Sequence, residues 1–495
     1  MSTTVTSRPP ADPPTGRRLS PRAMAKAGAL HPFGVLVLLA GAFLPIADFF
    51  IVNVALPTIN RSLHASGPTL ELIVAGYGVA YAAVLVLGGR LGDRYGRRHL
   101  FEGGLIAFIL ASLACGIAPT IGVLVTARIV QGASAAMLVP QVLATVHATL
   151  DGERKSRALA LYGATSGIAA VVGQLASGIL VHANIAGTGW RPIFLINIPL
   201  GLIVLATVRH VVPATRSQHP VGMDLAGTLL FAATLIALLA PLTEGQNLGW
   251  PAWTWIVLAL AVILALLTIS VERRIERRGT VPLLPPSVLR LPSMWRGLAM
   301  ILPFSVGFGA FMFVFALTTQ EGLHYNALKG GLALVPMALL FLAGSALSPK
   351  LIGRYGRGAM AAGGAVQAIG LALIIAVILT AWPHVSILEL AGPLALIGAG
   401  QSMLFTGLFR VTLADVPGHH AGIGGGALIT LQQSGLALGV ATLGTLFLAL
   451  KPHGFAHAFA AAIGVQLVIV ICLVLATRAL PRFSSATNDE VIVDA

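Results

Sequence analysis

Residues 88–99 read GGRLGDRYGRRH. Arg90, Arg94, Arg97 and Arg98 crowd this short stretch, which sits between apolar runs near 70–89 and 99–118. Hydrocarbon does not accept such charge density, so the stretch marks one end of two membrane spans. Its glycines permit a tight turn between them. Asp93 and the glycines are more than charge sorting alone requires, which weighs against the alternative of a plain positive-inside loop.

The same reading extends along the chain. Its 495 residues are 56% hydrophobic and 10% charged, with a mean hydropathy of +0.89. A soluble domain carries roughly a quarter charged residues, so lipid is the main solvent here. A helix rising 1.5 Å per residue needs about 20 apolar residues to cross a core about 30 Å thick. Runs of that kind fall near 33–57, 70–89, 99–118, 121–146, 158–182, 193–212, 225–243, 252–271, 297–319, 330–349, 358–380, 386–409, 424–449 and 458–477. The chain is therefore expected to be all-α and to span the bilayer about fourteen times. The first run is too long for the apolar segment of a cleaved signal.

Alternation of these spans places 26 of the 31 Lys and Arg on one side, from the N-terminal tail and the 90–98 stretch to Arg478 and Arg482. Only Arg61, Arg191, Lys329 and Lys451 fall on the other, and Arg128 lies inside a span. The excess predicts cytoplasmic termini. The net charge of +14 thus reflects topology, and no nucleic-acid partner is expected. RLGDRYGR at 90–97 returns as KLIGRYGR at 350–357, the trace of a duplicated bundle. The expected organisation is a disordered basic tail (1–32), a six-helix bundle (33–212), two extra helices with a linker (213–296), a second six-helix bundle (297–477) and a tail (478–495).

Gly89, Leu91, Asp93, Arg94, Gly96, Arg97 and Arg98 match G-x-L-x-D-R-x-G-R-[KR], so the stretch resembles the signature loop of the major facilitator superfamily. DFFIVNVALP (48–57), ARIVQGASAA (127–136) and WRPIFLINIPLG (190–201) are similar to motifs of its fourteen-helix drug:proton antiporters. The resemblance implies a plasma-membrane exporter of small amphiphilic compounds, of the antibiotic-resistance and multidrug-efflux type. It also implies that Gly89, Asp93, Arg94, Gly96 and Arg97 form a conformational latch between two halves. The fifth span departs from the pattern: Gln174 stands where these exporters carry Pro, and Ser177 replaces a Gly. The kink expected from that Pro is lost.

Asp48 is the prime functional candidate. An acid at membrane depth costs about 2.5–3.5 kcal/mol on insertion scales, so it needs a partner or a task. Counting 1.5 Å per residue from the helix ends puts Arg128 at a similar depth. The pair is expected either to couple proton exchange to substrate binding or to be a static packing element. Glu389 is a second candidate for cation contact, whereas Glu71, Glu244 and Glu321, at helix ends, are expected to be solvated caps. Phe304, Phe308 and Phe311 either line a substrate cavity, as the resemblance suggests, or pack. Asn53, Gln131, Gln174, Gln401 and Gln432 either bond substrate or bond neighbouring helices.

Cys115 and Cys472, inside apolar runs, are expected to be packed thiols. Adjacent His419 and His420 do not share a helix face, and no metal or cofactor site is expected. AGIGGGA (421–427) lacks the Lys-Ser/Thr of a phosphate loop, so an ion gradient is the expected energy source. Small-molecule substrate, protons and lipid are the expected partners, with a monomer as the expected state. An importer or facilitator of a small polar nutrient and a non-transporting sensor or scaffold are the competing readings.

Overall fold

A computed structural model describes residues 30–480 apart from 66, 218–223, 246–247, 280–281, 283–284 and 417–420. The expectations for residues 1–29 and 481–495 of the two tails and for His419–His420 therefore lie outside the described residues, and Pro32, placed in the tail, already begins the first helix. Within them there is no strand, and fourteen helices are long and apolar enough to cross a membrane. In chain order these are α1 Pro32–Leu63, α2 Gly67–Tyr95, α3 Arg97–Gly116, α4 Ile121–Thr149 and α5 Gly152–Ala183. Next come α6 Pro192–Val211, α7 Leu225–Glu244, α8 Ala252–Arg277 and α9 Pro292–Leu317. They are followed by α10 Ala327–Tyr355, α11 Arg357–Ala381 and α12 Ile387–Thr412. α13 runs over Ala421–Gly439 and continues through a π turn into Thr445–Leu450, and α14 is Phe455–Ala476.

Two sets of six helices pack in the same pattern. α1 lies on α5 and α6, α2 on α4, and α3 on α4 and α6; correspondingly α9 lies on α13 and α14, α10 on α12, and α11 on α12 and α14. The sets meet along α2–α13, α5–α10 and α1–α9, which is the arrangement a two-fold relation between repeats produces. α7 and α8 form a hairpin laid on α2 through α7. The outer face of α8 exposes Trp255, Ile256, Val262, Ile263 and Leu266, as a lipid-facing helix should. Charge anchors this hairpin at its base. Arg90, buried near the end of α2, lies in the field of Asp224 and Glu272, from the starts and ends of α7 and α8 respectively, and donates to the Pro282 carbonyl.

The 88–99 stretch is not an extended loop. α2 runs through Tyr95 and α3 begins at Arg97, so one residue, Gly96 at φ +104°, makes the break. Gly356 at φ +55° makes the equivalent break between α10 and α11. Both positions demand a backbone that side-chain-bearing residues rarely adopt, which explains the spacing conserved within the internal repeat. α5 is one unbroken helix, in keeping with Gln174 in place of Pro.

Hydrogen bonds join the halves at the end opposite Gly96 and Gly356, here called the far end. There Gln320 Nε2 donates to the Val54 carbonyl at 2.7 Å, and Asn60 Nδ2 to Glu321 Oε1 at 3.4 Å. Gly178 sits so close to α10 that a Cβ would lie 2.8 Å from the Ala327 carbonyl oxygen.

Candidate functional site

α2 and α4 cross at glycine. A side chain at Gly132 would run into the Tyr77 backbone carbonyl, and one at Gly88 into that of Ala136. This close approach brings α4 against α2 and places Arg128, one turn before Gly132, among side chains of five helices. Its Nε donates to the Ile73 carbonyl at 3.2 Å, and its guanidinium stacks 4.3 Å above the Tyr77 ring. One terminal nitrogen donates to Asp48 Oδ2 and, at 2.8 Å, to Gln131 Oε1. The other, buried, has no hydrogen-bond partner among the described residues.

The expected pairing of Asp48 with Arg128 is thus present, and both side chains are fully buried. The carboxylate gathers more than a cation. Gln131 Nε2 donates to Oδ1 at 2.9 Å and Asn197 Nδ2, from α6, at 2.7 Å. Ser112 on α3 lies within reach of both amides, at 2.8 Å from Gln131 and 3.3 Å from Asn197. The Cys115 thiol faces Gln131. An ionised carboxylate bonded by one cation and two neutral donors is well satisfied. A protonated one would have to surrender a donor, because its new O–H must itself find an acceptor.

α1 carries a second face. Phe49, Phe50 and Asn53, just beyond Asp48, turn towards the other half and, with Val74, Phe308, Gly309, Met312, Leu436 and Val440, line a narrow gap without room for a water molecule. Phe50 and Phe308 rings meet across it at 5.7 Å. Asn53 bonds its own helix through Nδ2, whereas its Oδ1 is buried without a partner. Asp48 itself is on the α4 and α6 side of α1 and does not line the gap.

The other candidates separate. Phe304 packs on Phe405 inside the second half, and Phe311 stacks on Phe315; only Phe308 of the three reaches the gap. Gln174 Nε2 contacts the Met312 sulfur at 3.0 Å, joining α5 to α9. Gln401 is buried with Oε1 unpartnered, and Gln432 is half-buried. Asp93 accepts from its i+4 neighbour Arg97 at 2.7 Å, and the 212–217 segment straps both through Thr215 and Ser217. The expected latch residues are thus engaged within one half, and Arg94 lies against Tyr95. Glu102 pairs with Arg209 at 3.0 Å. Cys472 is exposed rather than packed.

Three acids differ from expectation. Glu389 makes no cation contact among the described residues: at the start of α12 its carboxylate accepts the Ser386 amide while the Ser386 hydroxyl accepts the Glu389 amide, a reciprocal capping box. Glu71 is not a solvated cap but fully buried, because α13 and the end of α7 cover the start of α2. Nor is Glu321 a solvated cap: it bridges to Lys451 at 2.5 Å and accepts from Asn60 of the other half.

A family model described as Major Facilitator Superfamily matches residues 38–223 and 205–440. The chain is 34% identical over 421 residues to a probable actinorhodin transporter of Streptomyces coelicolor, covering 84% of this chain and 72% of that one. It is 34% identical over 420 residues to a puromycin resistance protein of Streptomyces alboniger, covering 84% and 81%. It is 32% identical over 460 residues to a cephamycin export protein of Amycolatopsis lactamdurans, covering 91% and 92%. Among solved structures, an auto-inhibited POT family peptide transporter shares the fold with a TM-score of 0.65 and 17% identity, over 92% of this chain and 99% of that one.

Proposed function

The chain belongs to the major facilitator superfamily, and from that membership we propose that it is a proton-coupled exporter of small amphiphilic or hydrophobic compounds. It works by alternating access: two six-helix halves, spanning about 33–212 and 297–477, rock about the gap between them. It is a monomer in the plasma membrane, and the excess of Lys and Arg on one side puts both termini in the cytoplasm. The names of its relatives, an export protein for cephamycin and a resistance protein for puromycin among them, support efflux as the direction.

The observation that carries the coupling is the buried Asp48–Arg128 pair with its extra donors from Gln131 and Asn197. Protonation of Asp48 cancels the charge that holds Arg128 and turns an acceptor into a donor. α1 then loses its hold on α4 and α6. Because α1 also carries Phe49, Phe50 and Asn53, the change reaches the gap. Substrate enters when the halves part. Aromatic faces from Phe49, Phe50 and Phe308 suit a flat hydrophobe, and Asn53 Oδ1 is a free acceptor for its N–H or O–H. Asp93, Arg94 and Arg97, with Gly89 and Gly96 shaping the turn, exchange their partners within one half for partners on the other as the far end opens.

Cells making the protein should retain less of a lipophilic cation, and a protonophore should abolish the difference. Raised uptake would favour a nutrient importer. Binding without any change in retention would favour a sensor.

A further inference from the structure

A second carboxylate lies outside this network. Glu71, in the first turns of α2, is completely buried at the seam between the halves. Its only side-chain hydrogen-bond partner among the described residues is Thr445 on α13, whose Oγ1 lies 3.0 Å from both carboxyl oxygens. That hydroxyl is also 2.9 Å from the Ala441 carbonyl and 3.3 Å from the Leu242 carbonyl, the latter on α7. One threonine O–H therefore faces at least four acceptor oxygens from three helices, and it can donate one hydrogen.

The charged surroundings give no relief. On α7 the nearest charged group is Glu244, a second acid. On α4, Arg128 is committed to Asp48 and the Ile73 carbonyl. Beyond α13, Lys451 is committed to Glu321. Tyr77, on α2 itself, gives its hydroxyl hydrogen to the Pro45 carbonyl. An ionised carboxylate with no cation and a shared hydroxyl is costly at such a place. A carboxylic acid fits: Glu71 O–H donates to Thr445 Oγ1, and Thr445 O–H then donates to Ala441 or Leu242. With one added proton, both hydrogens of the Glu71–Thr445 pair have an acceptor, and no charge is left in the seam.

We infer that Glu71 is a proton-binding site of its own, protonated while the far end is closed, and that the Glu71–Thr445 contact is a proton-dependent clasp between the halves. When the far end parts, Glu71 meets water, its O–H bond breaks and the proton passes to water, leaving a hydrated carboxylate. The closed state thus binds one more proton than the open one, so low pH favours closure, by up to about tenfold in the closed-to-open ratio per pH unit. This rests on the rocking of the halves in the proposed function, but not on Asp48 or on any substrate.

The test is a distance measurement across the far end by double electron–electron resonance. Spin labels are placed at exposed Ser62→Cys and His453→Cys in a chain carrying Cys472→Ser, Cys115 being buried. In detergent, from about pH 5 to about pH 9, the unsubstituted clasp should pass from a short to a long distance. Glu71→Gln, which imitates the protonated acid, should stay short throughout. Thr445→Val should move the transition to lower pH, because the closed state loses the acceptor for the Glu71 proton. A pH-independent distance in the parent chain, or a Glu71→Gln variant that keeps the parent's transition, would overturn the inference. Because no substrate is needed, failure of export in cells leaves this result readable, and a missing clasp leaves the export assay readable.

Discussion

Arg128→Met will unfold far more readily than the parent chain, and adding Asp48→Asn will recover most of that loss without recovering export. Removing one partner of a buried ion pair leaves the other charge uncompensated, at a cost of about 3–5 kcal/mol, whereas replacing both with neutral groups is often nearly neutral. In this site the cost falls on Asp48, which keeps the Gln131 and Asn197 donors but no cation. Thermal unfolding in detergent checks the stability half, and transport by refolded protein in vesicles checks the other. A double variant that is stable and still exports against a proton gradient would reduce the pair to a packing element.

The second large effect is expected at Gly132. The backbone of α4 passes so near Tyr77 that any Cβ collides with the Tyr77 carbonyl, which belongs to a helix backbone and cannot swing aside. Gly132→Leu must push α2 and α4 apart, and overpacking of this kind costs about 1–3 kcal/mol before any knock-on effect. The knock-on effect is the larger one, because the same crossing holds Arg128 against Ile73 and Tyr77. Little folded protein should be recovered in the membrane fraction. Gly103→Leu on α3, where a Cβ meets nothing within 4 Å, should be recovered in parent amounts.

What the sequence made legible follows from what lipid demands. Spans are readable because every helix must be apolar over its full crossing, but their ends are not, because helices continue past the bilayer; α2 and α10 therefore reach Tyr95 and Tyr355, into the basic stretches that first looked like loops. Asp48 and Arg128 could be matched by depth, since depth follows from counting residues. Asn197 and Ser112 could not, although Asn197 lies inside a quoted motif: a neutral polar residue carries no sign of which helix it faces. Glu71 was missed for a related reason. Its position near a helix start says nothing of whether another helix covers it, and here α13 and α7 do. Glu389 is different, for Ser386-Ile-Leu-Glu389 is a capping-box pattern that was open to reading. Phe304, Phe308 and Phe311 share a helix face by spacing, yet the gap is short enough that only Phe308 reaches it.

Proton flux through purified protein in sealed vesicles bears on the coupling most directly. With a pH-sensitive dye trapped inside, a lipophilic cation should drive proton movement opposite to its own through the parent chain, and Asp48→Asn, at equal reconstituted amounts of folded protein, should move no protons in response. Cation-driven proton movement of parental size in Asp48→Asn would contradict the account and assign the coupling to another group.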